Sequence, residues 1–98
     1  MLSYPKQLID FHVHLFPDPL FDAIWDFFSK GYKCEVIYKY YHQQALDHLK
    51  ENNVSHIVYS NYAHKKGVAD SLNAWNLDLL DRNNNLFCFA AFHPEDDN

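Results

Sequence analysis

The chain has 98 residues, of which 48% are apolar and 17% aromatic, and its formal net charge at pH 7 is −5. This length and composition support one small folded domain and exclude a disordered chain. The negative charge argues against a nucleic-acid backbone or an anionic membrane as the main partner. No apolar run reaches membrane-spanning length, and Cys34 and Cys88 are not spaced as a Cys-x-x-Cys pair. We therefore expect a cytoplasmic protein, with Cys88 as a core residue.

Hydrophobic patterning predicts alternating strands and helices. Leu8–His14 is a short apolar run and Val54–Ser60 is rich in β-branched residues, so both are predicted strands. The other predicted elements are a helix from Asp18 to Gly31, a helix at Tyr38–Asn53, a helix at Gly67–Asn84 and a strand at Leu86–His93. This order indicates an α/β fold with three parallel strands, joined by crossovers and buried on both faces.

Three parallel strands alone are an incomplete architecture. They leave two unpaired edges and one uncovered sheet face. A closed barrel of eight strand–helix units needs about 250 residues, whereas this chain has 98. We therefore expect residues 1–98 to be the N-terminal part of a larger fold, incomplete at its C-terminus. Alone, such a piece is expected to associate with the rest of the fold or with other copies.

The strongest functional signal is Asp10-Phe11-His12-Val13-His14, at the end of the first predicted strand. Side chains alternate along a strand, so His12 and His14 are expected on one face with their Cβ atoms about 6.5–7 Å apart. Two imidazoles at that separation can bind one divalent cation, with zinc the leading candidate. Asp10 is expected on the same face, where it would orient an imidazole. The alternative is a surface histidine pair that binds nothing.

The other histidines differ in their position relative to the strands. Parallel α/β folds place their chemistry at the C-terminal ends of strands, where His64 follows the second strand and His93 ends the third. The loop at Asn61–Gly67 leads into the third helix, so we expect His64, Lys65 and His93 to contact an anionic small-molecule substrate. The alternatives are a solvated loop whose lysines serve solubility and, for His93, a ring that hydrogen-bonds a loop carbonyl. The remaining histidines are expected to be structural: His42, His48 and His56.

Four segments together resemble the amidohydrolase superfamily, in particular its branch of metal-dependent decarboxylases. The segments are Ile9–Pro17, Tyr62–Ala69, Leu72–Trp75 and Ala91–Asp96, and the His-x-His element in the first is the most specific. The resemblance implies a distorted (β/α)8 TIM-type barrel with Zn²⁺ or another divalent ion at its mouth. It also implies hydrolysis of C–N or C–O bonds, or non-oxidative decarboxylation, of a small carboxylated substrate.

The resemblance also implies roles for individual residues. His12 and His14 match the family's first two metal ligands, and His64 and His93 would be substrate contacts. The other ligands are histidines after the fifth and sixth strands and an aspartate after the eighth, which serves as the base. These have no counterpart in residues 1–98. The resemblance thus implies a hydrolase or decarboxylase when the barrel is complete, and an inactive 98-residue chain that contains no catalytic residue.

Two alternatives stay open. The first is a metal phosphoesterase or nuclease of the TatD or polymerase-and-histidinol-phosphatase type, since both begin with a similar Asp-x-His-x-His. His93-Pro94 is similar to the Gly-x-His-Pro element of TatD nucleases, although Ala91 and Phe92 depart from it. The second is a truncated product that is inert, or that completes a barrel with another chain.

Overall fold

The computed structural model describes residues 7–31 and 39–96. Its elements in chain order are β1 (Leu8–His14), α1 (Asp18–Gly31), α2 (His42–Glu51), β2 (Val54–Ser60), α3 (Ala69–Arg82) and β3 (Leu86–Cys88). The strands form one sheet in the order β1-β2-β3, and both neighbouring pairs are parallel. The described part of the chain is therefore a small α/β domain with three parallel strands, as predicted.

β1, α1 and β2 have the predicted bounds, whereas α2 is shorter than predicted. It begins at His42, just after Tyr41, whose backbone N–H donates to the Gln44 side chain at 3.0 Å. It ends at Glu51 because Asn53 has a φ of +66°, in the left-handed region that a right-handed helix does not contain. Tyr38, the predicted start of this helix, lies outside the described residues.

α3 and β3 are also shorter than predicted. Gly67 has a φ of +89°, so α3 begins only at Ala69. β3 ends at Cys88 rather than at His93. The Asn73 side chain binds both backbone groups of Ala91, accepting from its N–H at 2.8 Å and donating to its carbonyl at 2.7 Å. Because α3 takes these groups, Ala91 does not continue the strand.

One face of the sheet forms the core. The core cluster consists of Leu15, Leu46, Ile57, Tyr59, Leu79 and Leu86. It joins β2 and β3 to α2 and α3. Ile57 and Tyr59 are two residues apart on β2, so both side chains point toward these helices. Burial contributes about 0.8 kcal/mol for each CH₂ group removed from water, so this layer supplies the main stabilisation of the domain.

The opposite face of the sheet, here called the open face, carries no helix among the described residues. Its shallow concavity of about 560 Å³ is lined by Ile9, Phe11, His56, Val58, Phe87, Cys88 and Phe89. The prediction of an uncovered face is confirmed for the described residues, and the expectation that the strands are buried on both faces is wrong there. The reason is that α2 and α3 both pack against the core side.

Two expectations drawn from composition can be compared with the structure. Within residues 7–31 and 39–96, no helix is long and apolar enough to cross a membrane. Cys88 is a free thiol that packs against the core cluster, as predicted. Cys34 lies outside the described residues.

Candidate functional site

β1 brings His12 and His14 together on the open-face side of the sheet. Val13 lies between them and packs against the core cluster, so its two neighbours point away from the helices. Their ring centroids are 5.1 Å apart with an interplanar angle of 76°, an edge-to-face contact. Both histidines are exposed. The predicted convergence of the two imidazoles is therefore present in the geometry of the strand.

Ser60 fixes the orientation of the His14 ring. The two residues are register partners across β1 and β2, and the Ser60 Oγ lies 3.2 Å from the His14 Nδ1. Because Nδ1 is in contact with this hydroxyl, Nε2 is the ring nitrogen that a metal would bind. The other ring nitrogen of a metal-ligating histidine usually pairs with a carboxylate, a backbone carbonyl or a water, and in this chain its neighbour is a hydroxyl.

Asp10 contacts the backbone of the histidine segment rather than a ring. Its Oδ1 accepts a hydrogen bond from the His12 N–H at 3.0 Å. The β1–β2 register shifts between Asp10 and Val13, and Asp10 is paired with the core residue Ile57. Because the irregularity breaks the strict alternation, the expectation that Asp10 shares a face with both histidines is wrong. Its role in orienting an imidazole stays a prediction.

The loop after β2 carries His64 and Lys65, both exposed, at the C-terminal edge of the sheet. His64 lines an apolar groove of about 460 Å³ between α1 and α3, together with Leu20 and Trp75. Across residues 7–31 and 39–96, no three His, Cys, Asp or Glu side chains form a group that could hold a metal ion. His64 therefore lies on the predicted edge without joining His12 and His14 as a ligand.

The loop before α3 already binds a carboxylate, and the carboxylate belongs to the same chain. The Gly67 N–H donates to the Asp96 Oδ1 at 2.7 Å. A turn holds this residue in place, since the His93 carbonyl accepts from the Asp96 N–H at 3.0 Å and the His93 Nδ1 accepts from the Glu95 N–H at 3.2 Å. The His93 ring thus contacts a local backbone group, and the loop amide predicted to meet a substrate anion meets Asp96.

A buried amide network, which the sequence reasoning missed, links the C-terminal ends of the strands to α3. The Asn61 Nδ2 donates to the Leu15 carbonyl at 3.0 Å and to the Asn76 Oδ1 at 2.6 Å. The Asn76 Nδ2 donates in return to the Asn61 Oδ1 at 3.1 Å, and Tyr59 donates its hydroxyl to Asn76 at 3.2 Å. The available signal was Asn76 itself, a polar residue on the apolar stripe of α3 between Leu72 and Leu79.

Tyr59 and Cys88 are the titratable groups of the core with perturbed acidity. Burial raises the pKa of Tyr59, and contact with the Cys88 thiol raises it further. Burial also raises the pKa of the Cys88 thiol. Both shifts favour the neutral form, so neither group supplies a phenolate or thiolate near neutral pH.

The three histidines expected to be structural each contact another side chain of the described residues. The His42 Nδ1 lies 2.8 Å from the Asp18 Oδ1, which ties α2 to the start of α1. His48 stacks on Tyr40 with centroids 5.3 Å apart. His56 contacts the Ser55 hydroxyl through Nδ1 at 3.0 Å.

Comparison of this chain with protein-family models, with curated protein sequences and with solved structures finds no match. Two features of the described residues therefore bear on function. These are the histidine pair on β1 and the open face beside it.

Proposed function

We propose that this chain is the N-terminal part of a metal-dependent barrel enzyme of the amidohydrolase type. The observation that carries the proposal is the adjacency of the His12 and His14 rings, 5.1 Å apart at the C-terminal end of β1. Enzymes with parallel α/β barrels hold their metal and substrate at that end of the strands. The proposed reaction class is hydrolysis of C–N or C–O bonds, or non-oxidative decarboxylation, of a small carboxylated substrate.

The open face supports the barrel part of this proposal. Phe11, Phe87 and Phe89 are large, exposed and apolar on the side of the sheet opposite the helices. In a (β/α)8 barrel that side is the interior, where layers of side chains from successive strands fill the space. A sheet with helices on one face and exposed phenylalanines on the other is apolar on both faces, as the wall of a parallel barrel is.

The donor chemistry of the pair fits part of a zinc site. Neutral imidazole nitrogens are preferred zinc ligands, and Zn²⁺ in catalytic sites takes three protein ligands and a water. His12 and His14 would hold the ion, and Ser60 would keep the His14 ring in its binding orientation through their 3.2 Å contact. When bound, such an ion lowers the pKa of a coordinated water and polarises a substrate carbonyl.

The loop at Asn61–Gly67 is proposed to recognise the anionic end of the substrate. Lys65 and Lys66 are exposed beside Gly67, whose N–H binds the Asp96 carboxylate at 2.7 Å. The same N–H would donate to a substrate carboxylate once Asp96 withdrew. In this scheme the residues of 1–98 bind and position the substrate.

Zinc titration of the 98-residue chain, followed by NMR of the histidine ring protons, tests the proposal. Zinc is expected to shift the His12 and His14 signals first, and the His12→Ala/His14→Ala double variant is expected to lose the effect. His48→Ala is the matched control, because His48 is exposed on α2 and stacks on Tyr40. Equal zinc binding by the double variant would remove the basis of the proposal.

A further inference from the structure

We propose that Asn61 and Asn76 position the histidine pair for metal binding. Their amide network holds the backbone of Leu15, which directly follows His14, and through that backbone it sets the separation of the His12 and His14 rings. The inference rests on the proposed metal-binding role of the pair. It adds two positioning residues that are not ligands themselves and that act on the pair from the covered face of the sheet.

The end of β2 binds both backbone groups of Leu15. The Leu15 N–H donates to the Ser60 carbonyl at 3.3 Å, and the Leu15 carbonyl accepts from the Asn61 Nδ2 at 3.0 Å. Ser60 is also the register partner of His14, and its hydroxyl lies 3.2 Å from the His14 Nδ1. Because Leu15 directly follows His14, these three contacts fix both the backbone and the ring of that histidine relative to β2.

Asn76 fixes the orientation of the Asn61 side chain. The two amides form a reciprocal pair, in which the Asn61 Nδ2 donates to the Asn76 Oδ1 at 2.6 Å and the Asn76 Nδ2 donates to the Asn61 Oδ1 at 3.1 Å. A half-turn of the Asn61 amide would place its oxygen against the Leu15 carbonyl and the Asn76 Oδ1, which are both acceptors. Asn61 and Asn76 are only 7% and 4% exposed, so water has little access to replace either partner. The Asn61 donor is therefore held on the Leu15 carbonyl.

The same helix also holds the chain beyond β3. Asn73, one turn before Asn76 on α3, donates to the Ala91 carbonyl at 2.7 Å and accepts from the Ala91 N–H at 2.8 Å. Among the described residues, α3 thus reaches the ends of β1 and β2 through the Asn61–Asn76 pair and the segment after β3 through Asn73. Parallel α/β barrels place their ligand-binding side chains at this edge of the sheet. A helix that fixes the strand ends therefore also fixes the spacing of the side chains there.

Metal affinity depends on the placement of the two rings. The His12 and His14 ring centroids are 5.1 Å apart. Zinc–nitrogen bonds are about 2.0–2.1 Å long, so a displacement of either ring lengthens or bends a bond to a shared ion. Removal of a group that orients a metal ligand typically weakens metal binding by about 10–100-fold. Asn76 acts through Asn61 and Leu15 rather than on a ring, so its loss is expected at the low end of that range, about tenfold.

Titration with zinc chloride, followed by NMR of the histidine ring protons, tests this role in variants that circular dichroism shows to be folded. Asn76→Ala is expected to raise the zinc dissociation constant of the pair about tenfold. Asn85→Ala is the matched control, because the Asn85 side chain also donates to the backbone of β2, at the Ser55 carbonyl (3.0 Å), but near the start of that strand. It should bind zinc as the parent chain does. Equal weakening by both variants would mean a general loosening of the domain and would overturn the positioning role.

A measurement on the parent chain tests the same coupling and does not depend on the folding of Asn76→Ala. Coupling between two sites is reciprocal, so a network that strengthens zinc binding is itself strengthened by bound zinc. Saturating zinc is therefore expected to slow hydrogen exchange of the Asn61 and Asn76 side-chain amides, by up to about tenfold. The Asn85 side-chain amide should exchange at the same rate with and without zinc. Unchanged exchange of Asn61 and Asn76 would overturn the proposal.

The outcomes distinguish this inference from the proposed function. If zinc shifts the His12 and His14 signals of the parent chain and a folded Asn76→Ala binds zinc with the same affinity, the positioning role is wrong and the proposed function stands. In that case the network contributes to stability alone. If the parent chain binds no zinc at the pair, the proposed function loses its basis and the positioning role is overturned with it.

Discussion

The two faces of the sheet are built from the same strands and yet differ sharply in burial. On β2, Ile57 and Tyr59 are 2% and 0% exposed and point to the helices, whereas His56, between Ser55 and Ile57 in sequence, is exposed. On the open face, Phe11 and Phe89 are 72% and 67% exposed. The side chains of the second face are as large and apolar as those of the first, and the difference lies in what covers them.

The covered face contains the residues that stabilise the described domain, whereas the open face contains exposed residues that are available for binding. The covered face combines close packing with the Asn61–Asn76 network and contributes to stability. The open face carries His12 and His14 beside exposed phenylalanines and contributes little to the stability of a single chain. Substitutions on the two faces should therefore have different consequences.

The largest effect is expected from Leu79→Ala. Leu79 is 0% exposed within the core cluster, so truncation leaves a cavity between α3 and the sheet. The free energy of unfolding in urea should fall by about 2–5 kcal/mol. Leu77→Ala is the matched control on the same helix, because Leu77 is 69% exposed, and it should change stability by less than about 0.5 kcal/mol. Equal losses from both would contradict the assignment of faces on α3.

Asn76→Ala is expected to have the next largest effect. It removes the partner of the Asn61 amide and of the Tyr59 hydroxyl, and leaves both groups buried without that hydrogen bond. Such a loss costs about 1–3 kcal/mol, measurable by urea unfolding. Asn84→Ala, at an exposed position after α3, is the control and should be nearly silent. A silent Asn76→Ala would mean that the network does not stabilise the covered face.

Tyr59→Phe should lower stability at pH 7 by about 1 kcal/mol, because the hydroxyl donates to Asn76. It should also change the response to alkali. Burial raises the pKa of Tyr59 above the value of 10.0 that applies in the unfolded chain, so its contribution is complete below pH 10 and declines as the pH rises above that. Unfolding curves between pH 7 and 11 should show a weaker decline for Tyr59→Phe than for the parent chain.

Tyr62→Phe serves as the control for this pH dependence, because Tyr62 is half-exposed on the loop after β2. Its alkaline decline should match that of the parent chain. Cys88, whose pKa burial also raises, is present in both variants, but only Tyr59→Phe removes its contact with the Tyr59 hydroxyl. If Tyr59→Phe kept the full alkaline decline, Tyr59 would not be its source.

The sequence predicted those parts of the fold that depend on local patterns. β1 and β2 are short segments rich in apolar or β-branched residues, and α1 begins at Asp18-Pro19 and ends at Gly31, so their bounds followed from local chemistry. β3 did not, because its apolar run continues to Phe92 while the Asn73 side chain binds the backbone of Ala91. That contact joins residues far apart in sequence, and no local pattern reports it.

The same distinction between local patterns and long-range contacts applies to the candidate site. The proximity of His12 and His14 followed from the two-residue period of a strand. The position of Asp10 did not, because it depends on a register shift between β1 and β2 that only the pairing of the strands reveals. The carboxylate of Asp96 at the Gly67 amide is likewise a long-range contact, which no local pattern indicates.

The smallest effect is expected from Phe87→Thr, and it tests the comparison of the two faces most directly. Phe87 and Leu86 are successive residues of β3 and lie on opposite faces, 55% and 6% exposed. In metal-free, dilute protein, Phe87→Thr should change the free energy of unfolding by about 0.5 kcal/mol or less, because threonine keeps the strand propensity and little apolar surface is lost from the core. The same substitution at Leu86 should cost about 2 kcal/mol or more. A large loss from Phe87→Thr would mean that the open face is already covered within a single chain.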